Sequence, residues 1–270
     1  MSRVPLGSRR VRRAATVVLG GMAAAHLAEA AVLRARLAGI GRLPAPDPSS
    51  GDALAATADR PAVVAVPGCE VDAATLAAAA QEIADGDLGV IDLVPGDLPA
   101  SRALRLLRRI DPARLASDPF YAPGGAQEAV VLAPGVASRM GAPARPPRDR
   151  GDLVTRTVAA QRHAPAAAGL RVAPGLAATP LSGDDRWREL EELTAHLRPY
   201  SALAPALVGA ETAHLAAMTA GLAVAPAAAL AALLTWSAQA ALVFAGPGGG
   251  EGAAIAPPHL ARAGLARLAL

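Results

Sequence analysis

Residues 215–246 carry no ionisable side chain across 32 consecutive positions, and between 201 and 246 the only formal charge is Glu211. A chain can keep so long a run out of water only by burying it in protein or placing it in lipid. Pro226 divides the run into two segments of about twenty residues, each near the length that crosses a hydrocarbon core, so the spacing predicts a transmembrane helical hairpin over 201–246. A second apolar stretch, residues 14–33, follows Arg3, Arg9, Arg10, Arg12 and Arg13 and precedes Arg34 and Arg36. It reads as a membrane helix, or as a signal peptide with small residues at Ala28 and Ala30 open to cleavage. The hairpin favours the anchor, and the chain reads as a multi-pass protein of the cell membrane.

Composition qualifies this reading. Hydrophobic residues make up 53% of the chain, but 71 of them are Ala, which permits helix yet buries little area. All 26 basic residues are Arg, and the net charge of +3 with 2% aromatics excludes a nucleic-acid interface. The single cysteine, Cys69, excludes an internal disulfide framework and any multi-cysteine metal site.

Between the apolar stretches the pattern alternates. Residues 1–40 form the basic N-terminus and membrane helix, and 41–60, rich in Pro, Asp, Ser and Gly, read as a linker. Residues 62–66 form a short strand ending in Pro67-Gly68, and Asp72 can cap a helix running to about 84. A second strand covers 88–94, and Pro99 opens a helix with Leu104, Leu107 and Ile110 as its apolar stripe. Residues 129–133 are a third strand, Asp152 can cap a helix to about 162, and 170–173 are a fourth strand. Strands separated by helices predict an α/β domain with a largely parallel sheet over 61–181. An amphipathic interfacial helix over 182–200 shows Trp187, Leu190, Leu193 and Leu197 on one face, and 247–270 form a tail.

A membrane helix, an α/β domain, an amphipathic helix and an apolar pair is a layout that resembles membrane-associated family-2 glycosyltransferases, which have a GT-A nucleotide-sugar fold. Val66-Pro67-Gly68-Cys69-Glu70 and the helix after Asp72 are similar to that family's first strand and turn, with the acid one residue early. Residues 90–97 stand where the family ends a strand in D-G-S-x-D, and the last acid matches Asp97, while Leu93 replaces the first. Gly151-Asp152-Leu153, followed by Gly169-Leu170-Arg171-Val172, resembles the family's E-D-L helix and G-Y-R-V strand. Gly183-Asp184-Asp185-Arg186-Trp187 is similar to its Q-x-x-R-W signature.

The resemblance implies transfer of a sugar from a nucleotide-sugar to a lipid-linked or polymer acceptor. Asp152 would be the base that deprotonates the acceptor hydroxyl. Glu70 and Asp97 would lie near the nucleotide, and Arg186 and Trp187 near the phosphate or acceptor. The family also uses a divalent cation held by D-x-D at the end of the third strand, where this chain reads Leu132-Ala133-Pro134 with no carboxylate. Catalysis would then be weakened. The alternative is a non-catalytic membrane module, or the front part of a larger cell-envelope enzyme.

The same residues have plainer readings. Asp72, Asp97 and Asp152 all stand just before helices, where Asp serves as an N-cap. Arg186 and Trp187 suit a membrane interface. Cys69 has no His nearby in sequence and reads as buried structure rather than a nucleophile. His26 with Glu29, and Glu211 with His214, are acid–imidazole pairs at i,i+3 inside apolar segments; packed together they would form a polar cluster on a lipid-substrate path, or simply fix helix packing. Arg counts set one constraint on orientation. Five Arg precede the first helix, against Arg34, Arg36 and Arg42 after it, which favours an inside N-terminus, whereas a nucleotide-sugar enzyme needs its α/β domain inside.

Overall fold

The computed structural model describes residues 9–44, 61–86, 88–121, 128–140, 146–163, 167–179 and 203–244. The amphipathic segment 182–200 and the tail 247–270 lie outside them. Helix α1 (Arg9–Ala38, 30 residues) leads without a linker into β1 (Gly41–Arg42). There follow β2 (Ala62–Ala65), α2 (Ala73–Asp85), β3 (Leu88–Pro95), α3 (Ala100–Arg109), α4 (Pro112–Ser117), β4 (Ala129–Leu132), α5 (Pro134–Met140), α6 (Arg150–His163) and β5 (Ala167–Ala173). Three helices close the described chain: α7 (Leu203–Gly221), α8 (Pro226–Ser237) and α9 (Gln239–Phe244).

The five strands form one sheet in the order β1-β5-β3-β4-β2. β1, β5, β3 and β2 run one way and β4 runs antiparallel between β3 and β2. The expected mixed α/β, largely parallel sheet is present. The antiparallel direction of β4 departs from that expectation, because four apolar residues carry no sign of strand direction.

β3 is the central strand, and its alternation divides the core. Val90 and Val94 face one layer with Leu104, Leu106, Leu107 and Ile110 of α3 and Leu153 of α6. Ile91 and Leu93 face the other layer with Ala79 of α2, Ala129 and Val131. The predicted stripe Leu104, Leu107 and Ile110 is fully buried, each side chain contributing about 1.5–3 kcal/mol. Asp72 caps α2, accepting from the Thr75 N–H at 2.6 Å.

Residues 41–44 are part of the sheet rather than a linker. Gly41 and Arg42 pair with Arg171 and Val172 of β5, and the Leu43 N–H donates to the Val172 carbonyl at 2.9 Å. A two-residue edge strand leaves no periodic signal to read. Its first residue is Gly, and a Cβ there would stand 2.8 Å from the Arg171 Cδ, so a larger residue would displace the Arg171 side chain. Arg171 crosses this gap to pair with Glu82.

The last three helices and α1 form a layer that merges with the domain. Ala30, Leu33 and Leu37 of α1, with Ala240, Val243 and Phe244 of α9, belong to the main core. Leu19 of α1 meets Met218, Ala229 and Ala232 of α7 and α8 in a separate small core. Pro226 does break the apolar region, at N1 of α8. The second half, however, divides at Ala238 into helices of 12 and 6 residues. Among the described helices only α1 is long and apolar enough to cross a membrane.

Candidate functional site

β2, β3 and β5 finish at one edge of the sheet, where β4 begins. Three loops meet there. Gly68, with φ of 80°, turns the chain after β2, and the Cys69 N–H closes the turn on the Val66 carbonyl at 3.0 Å. Asp97, just past β3, accepts from the Ala178 N–H at 2.7 Å and so holds the loop that follows β5. In that loop Gly175 lies against Asp72, where a Cβ would come within 2.1 Å of the carboxylate.

Thr179, the last described residue of that loop, joins a buried charged cluster. Glu128, immediately before β4, is 0% exposed. Arg102 of α3 donates to its Oε1 at 2.6 Å, and Arg150 of α6 donates to both carboxylate oxygens at 3.1 and 3.2 Å. The Thr179 hydroxyl donates to Oε2 at 2.5 Å, and its carbonyl accepts from Arg150 at 2.9 Å and Arg102 at 3.3 Å. Each carboxylate oxygen is thus satisfied, which a buried ion pair needs if it is not to be strongly destabilising. Cys69 feels this cluster. Burial, and then the Glu128 charge, push its thiol up from the ordinary 9.0 to about 11, against a smaller pull from Arg150. The thiol is protonated at neutral pH and is no nucleophile there.

Asp152 sits in the first turn of α6, but the cap of that helix is Asp149, whose carboxylate accepts from the Asp152 N–H at 2.8 Å. Asp152 is its N3 partner and reaches back to accept from the Arg148 N–H at 2.9 Å, as in a capping box. Arg156 grips the same carboxylate through Nε at 3.0 Å and Nη2 at 2.7 Å. Burial raises its pKa, and the Arg148 N–H with the Arg156 hydrogen bond and charge outweigh that, so the net shift is downward from 3.8. A carboxylate so held is a weak proton acceptor.

Glu70 and Asp97 both stand exposed at the sheet edge, on the loops after β2 and β3. Arg186 and Trp187 lie outside the described residues. Sequence reading missed Glu128, Arg102, Arg150 and Thr179; the one signal was a lone acid directly before an apolar strand. The end of β4, where the family resemblance would put the cation, lies at the opposite edge of the sheet, with the Ala133 N–H bonded to the Gly89 carbonyl. Among the described residues no group of three or more His, Cys, Asp or Glu could hold a metal ion. The donor set does not fit the D-x-D cation of that family.

The helical layer has polar groups inside. His26 Nε2 meets His214 Nε2 at 2.6 Å, and His26 Nδ1 lies 3.2 Å from the Thr235 hydroxyl. Glu29 Oε1 accepts from Arg108 at 2.7 Å and its Oε2 from Gln239 at 2.5 Å, while Arg108 also donates to the side-chain Oε1 of Gln239 at 2.8 Å. Arg36 caps the end of α3 through the Leu107 and Arg108 carbonyls at 2.8 and 3.1 Å. The two imidazoles meet, Glu29 ties α1 to α3 and α9, and the side chain of Glu211 lies outside the description.

Outside, the layer is apolar. Val17, Val18, Leu27 and Val32 of α1 are exposed, as are Leu222, Leu230, Leu234 and Leu242 beyond the end of α7. Every other exposed position of α1 from 14 to 33, and every described exposed position from 212 to 244, is Ala, Gly, Thr or Pro. No family model matches the chain, and no curated protein or solved structure is significantly similar to it.

Proposed function

We propose that the chain is a membrane module whose helical layer sits in the bilayer and holds an α/β domain of glycosyltransferase-like layout at its surface, without metal-dependent sugar transfer. One observation carries this reading: among the described residues 14–33 and 212–244 the helical layer holds polar groups inside and has no charged residue at an exposed position. In water that arrangement wastes apolar area, and in lipid it is the stable one, because ionisable groups in a bilayer face the bundle interior. Arg9, Arg10, Arg12 and Arg13, in the first turns of α1, suit an anionic headgroup region. The held state of Asp152 and the poor fit of the cation support a binding role over a catalytic one.

Membrane fractionation tests the first half of the proposal. The chain is expected to resist alkaline carbonate extraction, and V17E/L27E/L230E is expected to release it or block its accumulation. Extraction of the unaltered chain into the soluble fraction would reject the proposal. A second reading, sugar transfer without that cation, is favoured by Glu70 and Asp97 at the strand-end edge where open sheets bind ligands. Calorimetry with UDP-, GDP- and dTDP-sugars, with and without manganese, separates the two. The module reading expects no manganese-dependent binding. Reporter fusions then locate the domain, and a position outside the cytoplasm rules out the transferase reading.

A further inference from the structure

We propose that the loop after α4, with Phe120 at its tip and Arg42 and Arg114 beside it, binds the headgroups of anionic lipid at the domain end of α1. The inference rests on the bilayer reading above and goes beyond it, since that reading gives the α/β domain no lipid contact of its own. Phe120 is 78% exposed, whereas Phe244, the other phenylalanine of the chain, is 4% exposed. The outward ring is held in place by its neighbours. The Phe120 N–H donates to Asp118 Oδ1 at 3.0 Å. The Tyr121 hydroxyl accepts from the Asp111 N–H at 3.2 Å and donates to the Arg109 carbonyl at 3.4 Å, and the Arg114 guanidinium stands 4.6 Å from the Tyr121 ring centre. Phe120 is thus presented on a tied turn, and an aromatic ring so presented suits the boundary between headgroups and acyl chains.

Position along α1 sets the depth. The exposed positions of α1 from 14 to 33 are uncharged, a length of about 30 Å that matches one hydrocarbon core. Arg36 and Gly39 follow within about 5–9 Å along the helix, at the level of the headgroups. Both touch the segment that carries the loop. Arg36 Nε stands 3.9 Å from the carboxylate of Asp111, the cap of α4, and a Cβ on Gly39 would lie 3.4 Å from the Cβ of Pro112. Charge complements the lipid. Arg42, three residues past Gly39, and Arg114, two past Pro112, are both exposed. The ion pair of Arg114 with Asp118, at 3.3 Å, is exposed and therefore weak, so a lipid phosphate can replace it. Residues 100–121 hold five Arg against two Asp, and basic side chains next to a membrane helix attract anionic lipid.

The test uses full-length chains with a single tryptophan, W187F/W236F carrying either F120W or V18W, in vesicles of phosphatidylcholine and phosphatidylglycerol. Quenching by lipid brominated high on its acyl chain is compared with quenching by acrylamide present on both sides. V18W reports on the helical layer and F120W on the loop. The F120W indole is expected to be quenched by brominated lipid and shielded from acrylamide. Brominated phosphatidylglycerol should quench it about twice as strongly as brominated phosphatidylcholine at equal mole fraction, and R42Q/R114Q should remove that preference. If V18W escapes the brominated lipid, the bilayer reading fails and this proposal fails with it. Three results overturn the proposal alone, with V18W quenched by lipid. They are F120W open to acrylamide, F120W shielded without lipid quenching, as at a contact between proteins, and equal quenching of F120W by the two brominated lipids. A preference that survives R42Q/R114Q overturns it as well.

Discussion

Glu128 shows how one residue can govern a region that no motif marks. It pairs with both Arg102 and Arg150 inside the protein and accepts from Thr179, so it fixes α3, α6 and the loop after β5 together. Removing one partner of a buried ion pair leaves the others charged and dry. E128A is therefore expected to lose about 3–5 kcal/mol, read by chemical denaturation in detergent. A loss within the range of an ordinary surface substitution would show that water enters the cluster. Cys69 reports the same surroundings through its thiol. In the folded chain its alkylation rate should stay low through pH 9 and rise only towards about 11. Because the folded pKa of this acid is raised, its contribution to stability is complete below the unfolded value of 9.0 and is lost as pH climbs to about 11. An alkylation midpoint near 9 would contradict the burial described above. Asp152 has the opposite sign. Its depressed folded pKa adds stability above 3.8 that disappears as pH falls through the folded value, so D152N should flatten the acid limb of a pH–stability profile.

At the scale of elements, close approach between helices depends on Gly221. A Cβ there would stand 2.6 Å from a Leu19 methyl and 3.2 Å from the Ala229 Cβ. G221L must push α1 away from α7 and α8, at about 1–3 kcal/mol, and thermal unfolding followed by circular dichroism should show the drop. Most elements could be read from the sequence because their signals were long or chemically specific. The α3 stripe of Leu104, Leu107 and Ile110 repeats at helical spacing, Asp72 caps the helix it precedes, and Pro226 starts one. Other features had no local signal. β1 is two residues long, and β4 is buried on both faces, so neither its register nor its direction shows in four apolar letters. Asp152 reads as the cap in sequence, and the folded backbone gives that place to Asp149, three residues earlier. The candidate site was the least legible part, since Glu128, Arg102, Arg150 and Thr179 come from four separate segments.

For the whole molecule, the question is how firmly the helical layer and the domain are joined. Glu29, Arg108 and Gln239 link α1, α3 and α9 in a closed ring of hydrogen bonds. In a double-mutant cycle, E29Q and R108A should show a coupling of about 0.5–3 kcal/mol. Either variant should also speed limited proteolysis near residues 41–44. Strict additivity would mean that the two layers are joined by apolar contact alone. The join has a mechanical consequence. α1 is one unbroken rod of about 45 Å, with its first half against α7 and α8 and its second half inside the sheet's own core. Only Gly39 and Ile40 separate it from β1. In a bilayer such a rod acts as a lever: tilt forced on it by a thicker or thinner hydrocarbon slab must rotate the whole sheet, and with it the exposed edge carrying Glu70 and Asp97, towards or away from the headgroups.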